Sequence, residues 1–174
     1  MVEPVSIAEA RYQARIGDDA TDATVEGYIA RARGWVERHT GHLLVERPIT
    51  VAFDRFDRLR LREWPVKPET AVLTYRDRTG ATVPLPVRMV AGSRPARILP
   101  TAGAYWPACA TEADAISVTV TAGYASASDI PGDLVQAMLV LIAAYYVDRE
   151  GGEVLAASKK SAAGFCSDYR LRGL

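Results

Sequence analysis

Cysteine and histidine are scarce in this 174-residue chain, with two of each. Cys109 and Cys166 lack CxxC spacing, which excludes a zinc knuckle or a dithiol redox motif built from them. The N-terminus, MVEPVSIAEARYQ, has neither the basic nor the apolar region of a secretory signal. The expectation is therefore a reduced, cytosolic protein. His39 and His42 flank Gly41, where a helix is due to end. No cysteine or carboxylate pair completes a tetrahedral set with them, so no metal site is expected. Asp18, Asp19 and Asp22 lack the order and the closing glutamate of a calcium loop.

Catalytic signatures are missing too. The chain has no GxGxxG and no GxxxxGK[ST]. Ala91-Gly92-Ser93 lacks the second flanking glycine of a nucleophile elbow. Asp148 and Glu150, two apart on a helix, point away from each other. The expectation is no catalytic residue and no cofactor. A small cytosolic enzyme whose site is assembled from scattered residues leaves no motif, and it stands as one alternative.

Long apolar runs and net charge are also lacking. The run from Leu134 to Val147 falls short of the about 20 residues that span a bilayer, and Asp133 and Asp148 bracket it, so no membrane partner is expected. Lys and Arg together number 21, as do Asp and Glu, which removes any global drive toward nucleic acid or an acidic membrane. Lysine is limited to Lys67, Lys159 and Lys160, so 18 of the basic residues are arginines. Five of them, at 11, 15, 31, 33 and 38, fall on two predicted helices and would offer a phosphate-contacting surface. Glu9, Glu26 and Glu37 would neutralise it. A DNA-binding module is the other alternative.

What is present is the profile of an ordered protein, 49% hydrophobic and 24% charged. At this length roughly 70% of the unfolded surface can be buried without staples. Ser6-Ile7-Ala8-Glu9 reads as a capping box, opening a helix to about Ile16 that stops at Gly17. Asp22 is the expected N-cap of a second helix. Val25, Tyr28, Ile29, Ala32, Trp35, Val36 and His39 give it one apolar stripe, and Thr40-Gly41 ends it. From Pro48 the period changes to two. Strands are expected around Ile49–Phe53, Leu59–Leu61, Val72–Tyr75, Val87–Val90, Arg97–Leu99 and Ala115–Thr121. Trp64-Pro65 closes the second, Asp77-Arg78-Thr79-Gly80 is a turn, and prolines keep the strands short.

After Pro131 comes a helix that is apolar almost all round. Leu134, Met138, Leu141 and Tyr145 form one stripe, expected to pack on the Val25–His39 helix. Val135, Leu139, Ile142 and Tyr146 form a second. A helix with no clean polar face needs cover on every side, so the second stripe is the candidate subunit interface, or faces the inserted sheet. Gly151-Gly152 ends the helix. Few large apolar residues follow until Phe165, so a mobile link and a short amphipathic segment are expected. The fold class is thus α+β. A helical core, of N-terminal helices and a long apolar C-terminal helix, carries a β-rich insertion at 48–122 within a single domain, 1–174, and 152–174 is a flexible tail.

In this order, ARGWVERHTG, ITVAFDRF, LREWPV, YRDRTG, RILPTAGAYWP, AISVTVTAGY, IPGDLVQAMLVLIAAYYVDREG and DYR resemble the head–tail connector proteins of long-tailed phages. These are also called adaptor or head-completion proteins, and related ones occur in gene transfer agents. The resemblance spans about Ile7 to Arg172. It implies a non-enzymatic adaptor in the neck of a virion or phage-like particle, assembled in the bacterial host cytoplasm. It implies a self-associated ring, a dodecamer, under the portal protein. The ring would offer a platform to the next neck protein, a stopper or tail-side connector. DNA would pass through the channel without specific binding. The C-terminal segment of such proteins reaches toward the portal. Here that maps onto Phe165, Tyr169, Arg170, Leu171, Arg172 and Leu174.

Overall fold

The structure, a computed structural model, describes residues 3–171. Arg172 and Leu174, two positions of the expected portal-binding segment, lie outside the described residues. The chain is a mixed α+β protein that divides into two compact units. One is helical and joins Met1–Val45 to Tyr124–Leu174, and the other, Glu46–Gly123, is built of strands.

Among the described residues the helical unit has four α-helices. Helix α1 spans Ile7–Ala14, with the Ser6 hydroxyl accepting from the Glu9 amide at 3.1 Å. It ends slightly earlier than the sequence suggests, because Arg15 takes a left-handed conformation and its amide closes onto the Arg11 carbonyl. Helix α2 spans Asp22–Thr40, and its N-cap is Thr21 rather than Asp22. Asp22 instead accepts the guanidinium of Arg11 at 2.8 Å. Gly41, with φ 73°, caps the other end.

Helix α3, Gly132–Val147, is the apolar helix, and α1, α2 and α4 all pack on it. Leu134, Met138, Leu141 and Ile142 are fully buried, and Tyr145 nearly so. Each large side chain removed from water contributes roughly 1.5–3 kcal/mol before entropy is charged against it. Two sequence expectations change here. Ile142, placed on the candidate subunit interface, is wholly inside the unit, while Val135, Leu139 and Tyr146 stay half-buried against the same core. The cover that α3 demands comes largely from its own chain. Nor is α3 the C-terminal helix.

That place belongs to α4, Glu153–Phe165, where a mobile link was expected. Its sequence, EVLAASKKSAAGF, holds one large aliphatic anchor, Leu155, and gains contact through small residues instead. Ala162 packs with no exposed surface, and Cys166 just beyond is equally buried. Asp148 fixes the turn into the helix, accepting from the amides of Gly151, Gly152 and Leu155. These bonds hold its carboxyl below the usual range, the Leu155 amide contributing most.

The strand unit contains two antiparallel sheets. Strands β1 (Arg47–Phe53), β2 (Arg60–Leu61), β3 (Val72–Arg76), β4 (Thr82–Leu85), β5 (Val87–Val90), β6 (Ala96–Pro100) and β7 (Ile116–Ala122) follow in sequence. One sheet has the order β1-β7-β3-β4 and the other β2-β6-β5. Alternation sets the faces. Ile116, Val118, Val120 and Ala122 of the central β7 point inward, and β1 alternates likewise. Strand β4 has no counterpart among the expected strands, because Pro84 and Pro86 read as breakers. It lies at a sheet edge, where a residue without an amide hydrogen is tolerated. The Asp77–Gly80 turn makes β3 and β4 a hairpin, with Asp77 accepting from the Thr79 hydroxyl and the Thr79 and Ala81 amides.

Candidate functional site: the anchored C-terminal segment

The C-terminal segment is where the resemblance places partner recognition, and the structure shows how its base is held. Helix α2 ends in a polar knot. The Thr40 hydroxyl donates to the Val36 carbonyl at 2.8 Å and accepts from the His42 amide at 3.0 Å. The Glu37 carboxylate accepts from the Leu44 amide at 2.9 Å. This fixes His42, whose Nδ1 lies 2.8 Å from the Tyr124 hydroxyl. After α4 a single 3-10 turn, Ser167–Tyr169, brings Tyr169 edge-on to the His42 ring at 5.5 Å. The Tyr169 hydroxyl donates to Asp133 at the start of α3, at 3.3 Å. Burial first, and the Asp133 charge next, raise the Tyr169 pKa. Three chain regions far apart in sequence thus meet on one aromatic ring.

His39 is engaged separately. Its ring stacks on Trp35 at 4.5 Å, and its Nε2 is buried with no hydrogen-bond partner among the described residues. Desolvation, and then the positive charge of Arg170, lower its pKa from the ordinary histidine value and so favour the neutral ring. The two histidines therefore serve different neighbours. Among the described residues no group of three or more His, Cys, Asp or Glu side chains has an arrangement that would hold a metal ion.

Of the residues that the resemblance assigns to the portal, Phe165 is exposed on the last turn of α4 and Arg170 is exposed beyond it. Leu171 is half-buried. Tyr169 is docked against its own domain, so it does not share a free face with Phe165. Of the candidate interface stripe, Tyr146 donates its hydroxyl to Asp19 at 2.8 Å, with the Arg149 guanidinium over its ring. Sequence reading missed the partners Tyr124, Asp133 and Cys166. His42 and Tyr124 lie 82 residues apart, and no local pattern reports such a pairing.

Cys166 is the buried pivot of this segment. Burial pushes its thiol from an ordinary value of 9.0 up to about 11. Arg170 pulls it down and Asp133 pushes it up, both by less than burial does. A raised acid pKa in the folded state contributes stability that is complete below pH 9 and lost as the pH climbs toward 11. Urea-unfolding midpoints should therefore fall across that window. Cys166→Ala should flatten part of the fall, leaving the share due to Tyr169. An unchanged slope in the variant would show that Cys166 does not titrate this way.

The arginines once candidates for phosphate contact are largely engaged. Arg11 holds Asp22 and the carbonyls of Gly17 and Ala20, and Arg33 holds Glu3 at 2.9 Å. Arg31 covers the Tyr145 ring at 4.3 Å. In the strand unit an open groove of about 700 Å³ is lined in part by Asp54, Asp57, Arg55, Arg78 and Glu112. Asp54 accepts from the Asp114 amide, and Glu112 pairs with Arg76 at 2.8 Å. Two of its three carboxylates thus hold loop geometry. No described helix is long and apolar enough to cross a membrane.

No family model and no curated protein matches the chain. Solved structures do. A chain in the virion of the native gene transfer agent particle is 29% identical, with a TM-score of 0.77, over 98% of this chain and 92% of that one. A chain in the neck of the empty particle, computed with C6 symmetry, is 26% identical, with a TM-score of 0.74, over 100% and 95%. A chain in the neck of the native particle, computed with C12 symmetry, is 27% identical, with a TM-score of 0.72, over 94% and 90%. The fold thus agrees over 94–100% of this chain, and the chain is similar to the neck, or head–tail connector, proteins of gene transfer agent particles.

Proposed function

We propose that this chain is a structural adaptor of a phage-like particle, located in the neck, where copies of it form a ring that joins head to tail and continues the DNA channel. The observation that carries this is full-length similarity to neck chains, at 26–27% identity over 94–100% of this chain. Those necks were computed with C6 and C12 symmetry, and twelve copies is the stoichiometry we assign. The ring docks on the portal protein above and presents a platform to the next neck protein below. It works without catalysis or cofactor, as a single connector domain in which the strand unit is an insertion between α2 and α3.

The anchored segment supports the portal assignment. Its base is fixed by Tyr169 on His42 and Asp133, while Phe165 and Arg170 stay exposed. A fixed base lowers the entropy that must be lost when the residues beyond it order on a partner. The test is genetic. Particles assembled without this chain should accumulate as DNA-filled heads lacking tails, and supplying the chain should restore tailed particles. Normal numbers of tailed particles in its absence would sink the adaptor reading.

A further inference from the structure

The zero net charge conceals a split. Residues 46–123 hold eleven basic and eight acidic side chains, and the rest of the chain holds ten basic and thirteen acidic ones. The strand unit is therefore net +3 and the helical unit net −3. The excess positive charge is not diffuse. In the β2-β6-β5 sheet Arg60 lies directly opposite Arg97, and Arg97 is also opposite Val90. Arg88 shares that face, two residues from Val90 on β5. All three arginines are exposed, and none is ion-paired among the described residues. Like charges directly opposite each other in an antiparallel pair destabilise the sheet. Folding alone gives no reason to keep them there. Beside them a shallow recess of about 210 Å³ is lined by Arg58, Arg60, Arg97 and Trp106, with Asp57 the one carboxylate.

We infer that this arginine face docks on the acidic helical unit of a second copy of the chain, head to tail around the ring. The inference rests on the ring reading above and says which surfaces meet. Charge complementarity selects the occupant. On the helical unit the α1–α2 loop and the α3–α4 turn are tied together by Tyr146 and Arg149 on Asp19. Asp18 and Glu150, one on each side of that tie, are exposed and without an ion pair among the described residues. A contact between two different patches is heterologous, and such contacts close into a ring when the rotation from copy to copy closes. A whole chain of net charge zero has no long-range pull on DNA, whereas patches of opposite charge steer copies toward one another and fix their register. Exposed charge pairs add little raw affinity, so the effect belongs to register and assembly rate.

The experiment is complementation in particles that lack the native chain. In R88E/R97E the new carboxylate on β6 faces Arg60, an attractive cross-strand pair, so the free variant should melt no lower than wild type. Its tailed-particle yield should nevertheless fall at least tenfold. D18K/E150K should fall similarly, and the chain carrying all four changes should recover most of the yield. Wild-type chain that fails to complete particles would defeat the adaptor reading itself. If wild type completes them and R88E/R97E does so equally, or if the combined variant gains nothing, only the docking inference falls. Duplex DNA binding by the free chain that R88E/R97E abolishes, with tailed yield unchanged, would assign the face to phosphate and overturn the inference.

Discussion

Replacing Leu141 by alanine is expected to destabilise the helical unit by about 3 kcal/mol, within the range of roughly 2–5 kcal/mol for such core truncations. Leu141 has no exposed surface and sits on α3, where α1, α2 and α4 all pack. Removing its branched end loses transfer free energy and leaves a cavity that three surrounding helices cannot easily close. Leu139→Ala on the half-buried side of the same helix should cost less than half as much. Urea midpoints with unchanged slopes would measure both. If the two cost the same, the side of α3 carrying Leu139 would be as enclosed as the core, and no part of the helix would remain for a neighbour.

That contrast bears on what was legible in the sequence. The apolar surround of α3 was plain, and so was its need for cover. The identity of the cover was not. Ile142 falls on the second stripe by helical periodicity, yet it is wholly buried, on a helix against which α1, α2 and α4 all pack. Periodicity assigns a residue to a face of its own helix and says nothing about which faces find partners. Helix α4 itself escaped notice because hydrophobic pattern is read from large side chains. Ala162 is fully buried, yet it is too small to register in such a pattern. The apolar helix is therefore evidence about the core, and the ring rests on similarity to the neck chains.

The strands were legible for the opposite reason. Alternation in ITVAF and ISVTV is strict, and β1 pairs with β7 over seven residues in register. Only β4 was hidden, by prolines that an edge strand accepts. The candidate site was legible as a segment and not as a geometry. The motif DYR marked Tyr169 and Arg170. That Tyr169 is pinned to His42 and Asp133, while Arg170 carries charge toward His39 and Cys166, depends largely on contacts across 36 residues and more. Such contacts exist only once four helices are packed.

The anchoring also decides how the portal assignment must be tested. Removing Ser161–Leu174, the cut that a flexible tail would invite, deletes Ala162 and Cys166 from the core, and Tyr169 with them. Such a chain would lose binding by losing its fold. A chain ending at Tyr169 keeps the buried residues and the hydrogen bond to Asp133, and it removes only Arg170–Leu174. It should melt within about 3 °C of wild type, since of the described residues removed Arg170 is exposed and Leu171, only half-buried, is not part of the core cluster. Its occupancy on portal-bearing heads should drop at least tenfold. Loss of the Arg170 charge should also let the His39 pKa rise toward its ordinary value, still held down by burial, which an NMR titration would register. That second readout confirms that the cut altered the anchored site as intended. Full occupancy with a shifted His39 would then place the portal contact elsewhere, on Phe165 or on the body of the helical unit. The loss expected here, in a chain that stays folded, would place it in the five residues beyond the Tyr169 anchor.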